Sequence, residues 1–158
     1  MPNRMKFIEQ LSIVIVTWNG DELLKSCLDS VRRVYGSVPE IVVVDNANQR
    51  SCADLTKSYP NVTYVAAPEN LGFAGGNNLG LKRAMRDTVL LLNNDTVVHA
   101  DSFSPLLDFL AAHDRVGIVQ GTMNVPALGN GLDDCGVLMT PFGVVAAGKS
   151  MATQGWPA

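Results

Sequence analysis

Leu90-Leu91-Leu92 runs straight into Asn93-Asn94-Asp95, and no other segment narrows the range of possible folds as far. A short apolar run that stops on small polar side chains reads as a buried strand of a parallel sheet. Such sheets place their ligands outside the carboxyl ends of their strands. Asp95 would then stand where a hard cation and an anionic ligand meet, with Asn93 and Asn94 beside it as neutral oxygen donors. Magnesium and manganese sites of this kind use one or two carboxylates, and phosphate oxygens and water complete the shell. Asn-Asn-Asp is also ordinary turn chemistry after a strand, so this segment alone leaves both readings open.

The rest of the chain alternates in the same way. Residues 11–17 are rich in β-branched side chains and predict a first strand. Trp18-Asn19-Gly20 breaks it, and Asp21 is placed to cap the helix that follows. There Leu24, Cys27, Leu28, Val31 and Val34 recur at three- and four-residue spacings and mark one buried stripe. Gly36 and Pro39 stop it. Residues 41–44 predict a second strand ending at Asp45-Asn46, residues 53–59 a short helix, and residues 62–66 a third strand. Residues 68–78, rich in glycine and asparagine, read as a loop that leads into a helix through Leu79, Leu81, Ala84 and Met85. A strand over 88–92, a helix from about 102 to 113 capped by Asp101 or Ser102, and a strand over 116–119 complete the series. This order predicts an α/β fold, a mostly parallel sheet with helices on both faces. Beyond Gly121 the chain becomes glycine-rich, and residues 137–139 and 144–147 are the only credible strands there. One domain over 1–158 is expected, with an α/β core at 11–121 and an incomplete segment at 122–158. It reads as the front of a larger domain.

Composition excludes several classes. The chain has 158 residues, 47% hydrophobic and 17% charged, which suits a folded domain with a real core. A net charge of −3 supplies no basic field, so no nucleic-acid partner is expected. An anion would have to be held by backbone amides, helix ends or a bridging metal. Cys27, Cys52 and Cys135 are widely spaced without a CxxC pair and fit reduced, mostly buried thiols. With no signal-like core and no apolar run of transmembrane length, the expected location is cytoplasmic, with peripheral attachment to the membrane's cytoplasmic face compatible with it. Apolar sheet surface left uncovered would favour a homo-oligomer.

Three strand ends carry polar residues on one edge of this sheet: Thr17, Trp18 and Asn19; Asp45 and Asn46; Asn93, Asn94 and Asp95. Asp45 occupies the position where a carboxylate can accept hydrogen bonds from ribose or base; a cap or turn role competes. The first loop lacks both G-x-G-x-x-G and G-x-x-x-x-G-K-[ST], so a nucleotide would be bound by another scheme. The segment from Asn70 to Asn78 offers small residues that let backbone approach a ligand, or simply a flexible turn. Asp133 and Asp134 read as a solvated turn, and His99 and His113 as surface or capping residues.

In order and in interval, Val16-Thr17-Trp18-Asn19, Val44-Asp45-Asn46-Ala47, the Asn70 to Asn78 segment and Leu92-Asn93-Asn94-Asp95-Thr96 resemble the family 2 glycosyltransferases, especially the rhamnosyltransferase-like bacterial members. Gly136-Val137-Leu138 and Pro141-Phe142-Gly143 extend the likeness. The resemblance implies a glycosyltransferase A-type fold, a nucleoside-diphosphate sugar donor, inversion at the anomeric carbon, and a glycan or lipid-linked acceptor served by the later segment. It implies that Thr17 and Asn19 line the base and ribose pocket, Asp45 bonds the base, and Asn94 contacts ribose. Asp95 matches the metal-binding carboxylate of the Asp-x-Asp motif, for Mn2+ or Mg2+, with Asn93 in place of the first aspartate. The segment from Asn70 to Asn78 would lie near the diphosphate and sugar, with Gly75, Gly76 and Asn78 as its donor-binding residues. No carboxylate matches the family's downstream base, so a non-catalytic nucleotide-sugar binding or assembly module stands as the alternative.

Overall fold

β-Branched side chains decide the centre of the molecule. The computed structural model describes residues 7–121, 123–125, 131–134, 137–139 and 145–147. Its first unit, Met1–Ser104, carries β1 (Leu11–Thr17), α1 (Asp21–Tyr35), β2 (Glu40–Asp45), α2 (Ala53–Thr56), β3 (Val62–Ala66), α3 (Gly72–Leu81) and β4 (Thr88–Leu91). The four strands form one sheet in the order β3-β2-β1-β4, every pairing parallel. The second unit, Pro105–Ala158, holds most of α4 (Ser104–Ala112) and two antiparallel pairs, β5 (Met123–Val125) with β6 (Gly131–Asp134) and β7 (Val137–Met139) with β8 (Val145–Ala147). Among the described residues no helix is long and apolar enough to cross a membrane.

Strand alternation sorts the core. Val14, Val42 and Val44 are fully buried on one face and pack with Val16, Val65, Leu79 and Val89. Ile13, Ile15 and Val43, one position along, are equally buried. Each such side chain contributes about 1.5–3 kcal/mol by leaving water. In α1, Leu24, Cys27, Leu28 and Val31 are buried as the periodicity requires. Gly20, not Asp21, stands at its N-cap, with no side-chain cap. Asp21 and Glu22 lie in the first turn, where their charge favours the helix dipole.

Residues 68–78 depart most from expectation. Helix α3 begins at Gly72 and ends at Leu81, so most of the expected loop is helical, and Ala84 and Met85 lie beyond its end. The glycines are contact surface. A Cβ on Gly76 would stand 2.7 Å from Val16 Cγ1, and one on Gly80 would run into Val14. Close approach of helix to sheet outweighs the poor helix propensity of glycine, about 1 kcal/mol per residue.

Other boundaries move for simple reasons. The 53–59 helix shrinks to Ala53–Thr56. Helix α4 starts at Ser104, whose N–H donates to Asp101 Oδ1 at 3.3 Å, while Ser102 Oγ donates to the His99 carbonyl. Strand β4 is half-buried to exposed rather than buried, because among the described residues it has a sheet neighbour on one side only. Residues 116–119 form no strand; among the described residues they pair with no other strand, and Ile118 is exposed. Asp133 and Asp134 belong to strand β6, not a turn. Residues 137–139 and 145–147 are strands. Cys27 and Cys52 are buried free thiols; Cys135 lies outside the described residues.

Candidate functional site

Parallel register brings the polar strand ends together. Thr17 pairs with Asp45 at the carboxyl ends of β1 and β2, and Leu92 N–H donates to the Val14 carbonyl at 2.9 Å, carrying the β4 end alongside. A cleft of about 470 Å³ opens there. One side is Asn93, Asn94 and Asp95; Val16 and Trp18 come from the end of β1; Asn46, Asn70, Gly72 and Phe73 complete it. Ligand pockets of about 300–1,000 Å³ typically pair apolar walls with a few placed polar groups, and this cleft has both. Trp18 and Phe73 are 59% and 67% exposed, so both rings are available to a bound molecule.

The Asn93-Asn94-Asp95 turn is held from several sides. Asn94 Nδ2 donates to Thr17 Oγ1 at 3.0 Å. Gly20 leaves room for it, since a Cβ there would stand 2.7 Å from Asn94 Nδ2. Thr96 N–H donates to the Asn93 carbonyl at 3.1 Å, and the Cys27 thiol lies 3.7 Å from the same carbonyl. Burial pushes that thiol up to about 12, and Asp95 adds to the effect, so Cys27 stays protonated and able to donate. Asp95 is left exposed on a braced turn.

Asp45 has the opposite surroundings. It is buried, and its Oδ1 accepts the Asn48 N–H at 2.9 Å. Its Oδ2 accepts the Tyr64 hydroxyl at 2.8 Å and the Cys52 N–H at 3.2 Å. Burial alone would raise its pKa; the hydrogen bonds from Asn48, Tyr64 and Cys52 prevail and hold it below the usual value. Burial and the Asp45 charge together push the Cys52 thiol up to about 12. Asp45 does not line the cleft; its neighbour Asn46 does.

The remaining expected residues fall in three places. Thr17 is buried behind Asn94. Asn19 adopts a left-handed backbone with φ of 52°; its N–H donates to Asn48 Oδ1 at 2.6 Å, and its Oδ1 accepts the Gln49 N–H at 2.8 Å. It thereby ties the loops after β1 and β2 together. Gly75, Gly76 and Asn78 lie within α3 and do not line the cleft. Of the cleft's lining, sequence reasoning did not single out Val16, Trp18 or Asn46 as site residues, and it named Asn70, Gly72 and Phe73 only as part of the 70–78 segment. Asn46 had a usable signal, its place directly after Asp45 at a strand end. His113 sits at the end of α4, its Nδ1 2.8 Å from the Phe109 carbonyl and its ring stacked on Phe109.

Among the described residues no three of His, Cys, Asp or Glu gather as protein ligands for a metal. A single exposed carboxylate flanked by amide oxygens still suits a hard cation that takes most of its shell from phosphate and water. Asp95 with Asn93 is such a donor set.

Comparison with known proteins places the fold and the family. Residues 12–130 match the family described as Glycosyl transferase family 2. The low-salt glycan biosynthesis hexosyltransferase Agl10 of Haloferax volcanii is 31% identical over 103 residues, 63% of this chain and 32% of its own length. The poly-beta-1,6-N-acetyl-D-glucosamine synthase of Staphylococcus aureus is 24% identical over 121 residues, 75% of this chain and 29% of its own. The chain thus spans about a third of the length of these relatives. Among solved structures, the mannosyltransferase PcManGT from Pyrobaculum calidifontis, in complex with GDP-Man and Mn2+, superposes with a TM-score of 0.59 at 23% identity, over 65% of this chain and 32% of that one. S. aureus TarS 1-349 in complex with UDP-GlcNAc gives 0.59 at 20% identity, over 70% and 37%. These likenesses establish a glycosyltransferase A-type fold, and the match over residues 12–130 places the chain in glycosyl transferase family 2.

Proposed function

We propose that this chain forms the donor site of an inverting glycosyltransferase that passes a sugar from a nucleoside diphosphate to a glycan or lipid-linked acceptor. The observation that carries this reading is Asp95, an exposed carboxylate lining a cleft at the carboxyl edge of a parallel sheet. Trp18 and Phe73 provide apolar surface for base or sugar. Asn94 is oriented by Thr17 and faces ribose. Asn19 and Asp45 shape the base end of the pocket by fixing the loops after β1 and β2. Asp95, with Asn93, would hold Mn2+ or Mg2+, and a cation there would neutralise the departing diphosphate. The presence of Mn2+ with GDP-Man in the mannosyltransferase structure supports that assignment. Holding the donor rigidly with its anomeric carbon open to the acceptor supplies the orientation that in-line attack requires.

Among the described residues Asp95 is the one carboxylate that lines the cleft. No group there is placed to take the acceptor's proton, and this favours a second reading, a donor-binding module without turnover. The test is incubation with UDP-, TDP- and GDP-sugars and Mn2+, following both retention and cleavage of each donor. Metal-dependent cleavage or transfer supports the transferase; retention without cleavage supports the binding module. If no donor is retained or cleaved, both readings fail.

A further inference from the structure

Asn46 is buried to 3% exposure, follows Asp45 directly and lines the cleft, yet its amide has little left for a ligand. Its Nδ2 donates to Asn70 Oδ1 at 3.0 Å and to the Gly72 carbonyl at 3.3 Å. Its Oδ1 accepts the Leu71 N–H at 2.9 Å. An amide has two N–H donors, and both are used. Asn70 Oδ1 closes the turn on itself by accepting the Gly72 N–H at 2.9 Å. Three consecutive residues, 70 to 72, are therefore gripped by one side chain from the end of β2.

What lies beyond the turn explains the grip. Gly72 has a φ of 67°, a backbone state that L side chains rarely adopt, and it opens α3. Phe73, the next residue, presents its ring to the cleft. Further along, Gly76 and Gly80 seat α3 against Val16 and Val14. The helix body is thus fixed by packing, and its first turn is fixed by Asn46.

We propose that Asn46 is a positioning residue. It sets the turn at 70–72, and through it Gly72 and Phe73, as the wall opposite the Asp95 turn, so that the cleft is preformed for a nucleoside diphosphate. This inference rests on the donor-site reading above. An aspartate at position 46 makes the sharpest probe. It keeps the acceptor for Leu71 N–H but turns oxygen toward Asn70 Oδ1 and the Gly72 carbonyl when ionised. A buried carboxyl facing acceptors favours its protonated form, which restores one donor.

The experiment titrates the unsubstituted chain, Asn46→Asp and Asn70→Ala with UDP and with GDP in the presence of Mn2+, from pH 8 to pH 5.5, reading affinity by calorimetry and fold by melting temperature. Loss of the paired hydrogen bonds predicts about tenfold weaker binding for Asn46→Asp at pH 8. The deficit should narrow to about threefold at pH 5.5 as the donor returns. Asp45, Glu69 and Asp95 are present in both proteins, so the ratio to the unsubstituted chain isolates position 46. Asn70 is exposed, so Asn70→Ala should keep its fold while binding about threefold to fivefold more weakly. Full affinity in Asn70→Ala, or a deficit in Asn46→Asp that ignores pH, overturns the inference alone. If the unsubstituted chain binds neither nucleotide, the donor-site reading falls and takes this inference with it. Should Asn46→Asp fail to fold, Asn70→Ala decides.

Discussion

Asp45 and Asp95 each end an apolar strand of the same parallel sheet, but the first is enclosed and the second is open. Asp45 closes β2, which is buried along its whole length, and spends its carboxylate on Asn48, Cys52 and Tyr64. Asp95 follows β4, which is half-buried to exposed, and stays exposed on a turn braced by Thr17 and Asn94. Similar local sequence therefore serves two ends. A carboxylate inside the sheet's central pair holds loops together, and one beside the outer strand is available to a ligand.

The largest effect that would break this contrast concerns stability. Asp45→Ala leaves the buried Cys52 N–H, the part-buried Asn48 N–H and the Tyr64 hydroxyl without this acceptor and should cost about 2–4 kcal/mol. Asp95→Ala, at an exposed turn, should stay within about 0.5 kcal/mol. Urea unfolding of the two variants side by side measures this, and equal losses would erase the distinction. Next in size, Gly80→Ala forces a methyl into Val14. Overpacking of about 1–3 kcal/mol exceeds the gain in helix propensity of up to 1 kcal/mol, so the melting temperature should fall.

A pH scan sharpens the contrast further. The folded pKa of Asp45 lies below its ordinary 3.8, so the ionised form is favoured by folding. Its contribution is complete above that ordinary value and is lost as pH falls through the lower folded one. Stability of the unsubstituted chain should therefore drop on acidification, and Asp45→Asn should flatten part of that slope; an unchanged slope would show that Asp45 does not carry it. The smallest effect is a gain. Ala47, in the loop after Asp45, has a φ of 59°, and Ala47→Gly should stabilise by about 1 kcal/mol by releasing left-handed strain. A loss there would mean that the alanine methyl contributes more by packing than its backbone costs.

Much of this was legible in the chain. Continuous β-branched runs in β1 and β2, punctuated by Asp and Asn, identify buried parallel strands with a polar carboxyl edge, and the three-and-four spacing of α1 marks its buried stripe. Helix α3 was hidden because its glycines serve contact with Val14 and Val16, partners distant in sequence. Residues 116–119 carry a strand-like pattern, but a strand needs a neighbour, and periodicity does not reveal one. At the site, Asn93, Asn94 and Asp95 announce themselves by position. Asn46, Asn70 and Phe73 act through a turn whose hydrogen bonds span residues 46 to 72, and no local pattern encodes that span.

The central claim is that the cleft beside Asp95 binds a nucleoside diphosphate with a divalent cation. Calorimetric titration of UDP, TDP and GDP, with and without Mn2+, into the unsubstituted chain and Asp95→Ala tests it most directly. The account predicts saturable binding of at least one nucleotide that strengthens with Mn2+ and loses that enhancement in Asp95→Ala. Equal affinity in both proteins, indifferent to the metal, would contradict it.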